Sequence, residues 1–106
     1  MMDIHVTFRH ADSSEVLKEH VKDKIERFTK YLIKPVSLHV TLTVEKNRHV
    51  AEILLSESHN TFTAKETSHD MYRSVDGALE RILHQLKKHK EKVKNHHKRI
   101  LKKTAP

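Results

Sequence analysis

Nine Lys or Arg and three His stand against a single acid, Glu91, in QLKKHKEKVKNHHKRILKK, residues 85–103. At this density such side chains do one kind of chemistry well: they neutralise phosphate, positioning a protein on a nucleic acid without reading its sequence. The net charge of +7 is spread unevenly along the 106 residues. Residues 1–80 hold eleven Lys/Arg against thirteen Asp/Glu, a balance of −2, whereas residues 81–106 hold ten against Glu91 alone, a balance of +9. A nearly neutral body with a strongly basic C-terminal element implies an anionic partner bound on one side. Nucleic acid leads, and an anionic membrane surface comes second.

Other chemistries find little material. There is no Cys, hence no thiolate ligand, thiol nucleophile or disulfide. The eleven His invite a metal site, yet His84, His89, His96 and His97 make no helical i, i+4 pair and match no ligand spacing, which leaves only incidental nickel or zinc affinity. Ser68-His69-Asp70 has the residue types of a triad, but adjacent residues do not reach triad geometry. With Gly77 the only glycine, there is no phosphate-cradling loop. Neither catalysis nor a cofactor is expected. Three Phe fall on core stripes, leaving Tyr31 and Tyr72 as free aromatics, so a folded nucleic-acid backbone suits this chain better than stacked single-stranded bases.

The elements that must hold the basic residues follow from periodicity. Ile4, Val6 and Phe8 alternate with polar residues as in a half-buried strand. Asp12, with Glu15 three residues later, is placed to cap a helix whose stripe is Leu17, Val21, Ile25, Phe28 and Leu32, ended by Pro35. Val36 to Val44 alternate cleanly. Turns at 46–48 and 58–60 then separate strands centred on Ala51-Ile53-Leu55 and on Phe62-Ala64, giving an antiparallel meander. A second helix starts near Ser68–Asp70 and carries Met71, Val75, Leu79, Ile82, Leu86 and Val93. Gly77 lies inside it in phase, which a close approach of helix to sheet would explain. The expected architecture is α+β: one β-α-β-β-β-α domain over residues 1–95, with strand one parallel to strand two and both helices on one face of a four-stranded sheet. Residues 96–106 are expected to form a basic, flexible tail. Only 36% of residues are hydrophobic, so one thin core is the limit. No stretch approaches a transmembrane length and the N-terminus lacks a signal-peptide core, so a soluble cytoplasmic chain is expected.

The basic run is thus largely the continuation of a packed helix. At 3.6 residues per turn, Arg73, His84, Lys87 and Lys88 lie away from the apolar stripe, Arg81, Lys92 and Lys94 flank it, and Lys90 falls nearer its edge. An ordinary solvated face mixes signs, as the first helix does with Lys18, Lys22, Lys24, Glu19 and Asp23. The second helix after Glu80 does not. Composition alone does not separate RNA from DNA.

The segment HDMYRSVDGALERILHQLKKHKEKVKN, residues 69–95, resembles the second helix of bacterial ribosome hibernation-promoting factors and ribosome-associated inhibitors, the sigma-54 modulation protein family. The matching pattern is Asp70-Met71-Tyr72, Val75-Asp76, then a basic helix; the resemblance runs from residue 2 to about 96 and includes VEK at 44–46. It implies a fold like that of double-stranded RNA-binding domains. It also implies a translation inhibitor that binds the small ribosomal subunit and its ribosomal RNA in the messenger and transfer RNA channel. The basic family positions fall on Lys18 and Lys24 of the first helix, and on Arg81, Lys88, Lys90, Lys92 and Lys94 of the second. Lys87 adds charge, and His84 stands where relatives often carry Arg, exchanging a permanent donor for a pH-sensitive one. The length is similar to short family members, which implies a free monomer and pairing of ribosomes together with a separate ribosome modulation factor. A general RNA- or DNA-binding module without ribosome specificity is the alternative.

Overall fold

The computed structural model describes the backbone of residues 3–28, 35–57 and 60–104 and the side chains of 3–28, 37–57 and 60–92. The order is β1 (Asp3–Arg9), α1 (Glu15–Glu26), β2 (Pro35–Glu45), β3 (Arg48–Glu57), β4 (Thr61–Ser68) and α2 (Met71–Thr104). The four strands form one sheet in the order β1-β2-β3-β4. As the β-α-β crossover and the two short turns implied, β1 runs parallel to β2 and the other pairs are antiparallel.

Register aligns the apolar side chains into rows across the sheet. Ile4, Leu38, Leu55 and Phe62 form one row, and Val6, Val40, Ile53 and Ala64 the next. Val21 and Ile25 of α1 and Val75, Ala78, Leu79, Ile82 and Leu86 of α2 pack with these rows in a single core, so both helices cover the same face. Each such fully buried Leu or Ile contributes roughly 1.5–3 kcal/mol.

The third row reads Phe8, Leu42, Ala51 and then Glu66, which puts a carboxylate on the helix-covered face of edge strand β4. Two features of α2 accommodate it. Gly77 leaves room, since a methyl there would lie 2.8 Å from Cγ and 3.1 Å from Oε2 of Glu66. One turn later, Arg81 Nε meets Glu66 Oε2 at 2.9 Å. The close approach expected of Gly77 is therefore real, and its cause is this carboxylate. Gly77→Ala gains about 1 kcal/mol of helix propensity but displaces Glu66 from Arg81. Urea denaturation should find the variant near wild-type stability, well short of that gain.

Helix boundaries differ from expectation in three places. The N-cap of α1 is Ser14, whose side chain accepts from Leu17 N at 3.2 Å, rather than Asp12. Capping two residues later keeps Ser13 and Ser14, poor interior residues but good caps, out of the helix. At its other end α1 stops at Glu26, where Phe28 N bonds Ile25 O at 2.9 Å. This tightened turn delivers Phe28 to the core without a further helical turn. Leu32 and Tyr31 lie outside the described residues, as do residues 58 and 59 of the second turn, and Pro35 begins β2. Finally, α2 does not stop near 95 but runs to Thr104, so most of the segment expected as a tail is helical. Residues 96–104 contain no Gly or Pro, and Lys, Arg and Leu are strong helix formers.

Asp70 caps α2, its carboxylate accepting from Tyr72 N at 3.1 Å. Buried Ser74 donates to His49 O at 2.7 Å, fastening the first turn to β3. Between β2 and β3 the connection is two residues long, with Lys46 at positive φ (54°), a geometry that matches strand twist.

Candidate nucleic-acid interface

Helix α2 divides cleanly around its axis. Val75, Ala78, Leu79, Ile82 and Leu86 are fully buried. On the other side Arg73, Glu80, Arg81, His84, Lys87, Lys88, Glu91 and Lys92 are exposed, and Lys90, one turn beyond Leu86 on the inner side, is exposed as well. Leu86 is the last buried residue among those with described side chains, so from Lys87 onward basic groups occupy most of the circumference. His89 is the exception. Half-buried, it sets its ring edge-on to Phe62 (centroids 5.5 Å apart) and lies 3.3 Å from the Asn60 amide. A residue that could have joined the charged set instead ends the core stripe.

The candidate residues are not equivalent. His84, Lys87, Lys88, Lys90 and Lys92 are gathered on one exposed length of α2. Lys94 lies on the same helix, with its side chain outside the described set. Arg81 is exposed yet turned to Glu66. Lys18 pairs with Glu15 at 3.4 Å on the surface of α1. The largest departure is Lys24, whose Nζ lies 3.1 Å from Asp76 Oδ1 and whose side chain is mostly covered. The sequence reading placed it among the charged, solvated positions of α1; the structure turns it inward instead, because Asp76 of α2 arrives beside it.

That same carboxylate oxygen lies 2.6 Å from His20 Nε2, and the His20 ring sits edge-on to Tyr72 at 5.3 Å. His20 and Lys24, four apart on α1, thus grip one acid of α2 and set the two helices against each other. Partial burial pushes the Asp76 pKa up, but hydrogen bonds and charge from His20 and Lys24 outweigh it, leaving the carboxyl below its ordinary range. With the folded pKa depressed, the stabilisation is fully present above the unfolded aspartate value of about 3.9. It is lost as pH falls through the lower folded value. Asp76→Asn should cost on the order of 1 kcal/mol at pH 7, given partial exposure, and nothing once the wild-type carboxyl is protonated. Urea midpoints at pH 7 and pH 2.5 check both signs.

Sequence reasoning missed this clip. Its one sequence signal is Asp76 itself, an acid beside the apolar stripe of α2. Among the described residues no group of three or more His, Asp or Glu is placed to hold a metal ion. Among the described residues no helix is long and apolar enough to cross a membrane.

Comparison with known proteins places this geometry. The ribosome hibernation promoting factor of Salmonella typhimurium is 30% identical over 95 residues, covering 90% of this chain and all of that protein. Its namesake from Azotobacter vinelandii is 31% identical over 91 residues, 86% of this chain and 85% of that one. Among solved structures, a ribosomal subunit interface protein from Coxiella burnetii superposes with a TM-score of 0.75 at 24% identity, covering 86% of this chain and 99% of its own. The N-terminal domain of Thermus thermophilus Protein Y gives 0.76 at 22% identity, covering 83% and 98%. These two structures share the four-stranded sheet and paired helices found here. Residues 4–94 match the family described as Sigma 54 modulation protein / S30EA ribosomal protein, and the chain belongs to that family.

Proposed function

We propose that this protein binds the small ribosomal subunit through the exposed basic face of α2 and holds idle ribosomes inactive by occupying the messenger and transfer RNA channel. The observation that carries this reading is the strongly basic stretch from Lys87 to Lys92, four Lys against the single acid Glu91, continuing a helix whose inner side is locked into the core as far as Leu86. Relatives named ribosome hibernation promoting factors support the ribosome as target. The partner is ribosomal RNA, contacted at phosphates by His84, Lys87, Lys88, Lys90, Lys92 and Lys94. Arg81 joins where phosphate competes with Glu66, and Lys18 contributes from α1. Lys24, held by Asp76, is a secondary contact. The action is occupancy, with no bond made or broken. Free protein is monomeric, and ribosome pairing calls for a separate modulation factor.

Co-sedimentation with purified small subunits tests the reading. With about six phosphates engaged, affinity should fall on the order of 10³-fold between 50 and 200 mM salt. Absence of binding, or binding indifferent to salt, would refute it. A general nucleic-acid module makes the opposite prediction in competition, since excess bulk RNA would strip it from the subunit while a ribosome-specific factor stays bound.

A further inference from the structure

A second surface lies between α1 and the start of α2, on the outer side of the Asp76 clip. It is a groove of about 410 Å³ lined by Glu15, Val16, Glu19, His20, Asp23 and Tyr72. Val16 is 66% exposed and Tyr72 40%, two of the three large apolar side chains exposed among the described residues. Beside them stand three carboxylates at i, i+4 and i+8 on one side of α1, Glu15, Glu19 and Asp23. Glu15 is partly offset by Lys18, but Glu19 and Asp23 have no ion-pair partner among the described residues. His20 and Lys24 of the same helix are turned inward to Asp76, while Lys22 and Arg27 stand exposed on α1 with no ion pair to these acids among the described residues.

Solubility alone accounts for exposed acids; it does not account for a valine and a tyrosine left open between them. The geometry points to a docking groove for a basic polypeptide segment, rich in Lys or Arg, whose apolar or aromatic side chain seats between Val16 and Tyr72. Charge identifies the occupant. Nucleic acid would set its phosphates against three carboxylates, and a second copy of this chain would have to present its own basic helix while that helix is wanted for RNA. The inference rests on the ribosome reading and deepens it. Ribosomal RNA is met through the basic length of α2 with Lys18 at the margin, and a basic ribosomal-protein segment is met in the groove between α1 and the start of α2.

Glu19→Lys with Asp23→Lys separates the alternatives by sign. The pair raises the net charge from +7 to +11, two units for each reversal. If every contact were to RNA, binding to the small subunit would tighten or stay level. If the groove holds a basic segment, binding weakens, by about ten-fold or more at 100 mM salt. Val16→Ser, which leaves charge and the helix caps untouched, should weaken binding several-fold and serves should the double variant misfold. A benzoylphenylalanine photocrosslinker at position 16 should join a ribosomal protein; crosslinks to RNA alone, or none, would overturn the assignment, as would tightening in the double variant. Failure of the unaltered chain to bind ribosomes would instead remove the reading beneath it.

Discussion

Exchanging Lys88, Lys90 and Lys92 together for Glu lowers affinity for the small ribosomal subunit by more than about 10³-fold at 100 mM salt, with the fold retained. The expectation has two parts. Each reversal removes a proposed phosphate contact and substitutes an anion that phosphate repels, so three reversals change the interface by six charges within little more than about one helical turn. The fold is spared because all three side chains are exposed and Glu is nearly as good a helix former as Lys. The sites also lie inside α2, far from Thr104, so acids there do not oppose the negative end of the helix dipole. Sedimentation reads the first part, far-ultraviolet circular dichroism and a melting curve the second. Unchanged binding would move the interface off α2.

The converse experiment is Ile82→Ala. Ile82 is fully buried beneath the sheet-facing side of α2, one residue from Arg81 and two from His84. Truncation removes three carbons from a core that already consists of one thin layer, and should cost about 2–5 kcal/mol. For a domain of this size the melting temperature should fall by more than about 10 °C. Below that transition the outer face is unaltered, so ribosome affinity at 10 °C should stay within two-fold of wild type. Together the two variants dissociate what a single helix combines. One loses the partner and keeps the fold; the other keeps the partner and weakens the fold. A variant of Ile82 that bound poorly while folded would show that the inner and outer faces are energetically coupled.

How much of this could be read from the residues depends on the range of the interaction concerned. The alternation from Val36 to Val44 and the stripe from Met71 to Leu86 are local patterns, each interpretable against a single element's period, and they located the sheet, its register faces and both helices. Gly77 in mid-helix correctly signalled close packing. The carboxylate responsible, Glu66, lies eleven residues away on β4, and no period links the two. His20 and Asp76 are separated by 56 positions. Periodicity states which side of a helix a residue occupies; it does not state which residue of another element arrives beside it. That is why Lys24 could be placed among the basic positions of α1 while its commitment to Asp76 could not be foreseen. Periodicity also leaves open which of several nearby polar residues becomes a cap, as Ser14 did in place of Asp12.

Helix α2 enters the core at Met71 and is held on its inner side as far as Leu86. Its cations from Arg81 to Lys92 therefore stand on, or directly continue, backbone whose freedom was surrendered when the chain folded. A disordered basic tail of the same composition would have to give up roughly 1–2 kcal/mol of backbone entropy per residue on meeting RNA. Here most of that loss has already been absorbed by core packing, and association need only still the outer side chains. In the proposed complex the hydrophobic layer under the helix thus contributes to affinity without touching the partner, by making the bound shape the resting shape.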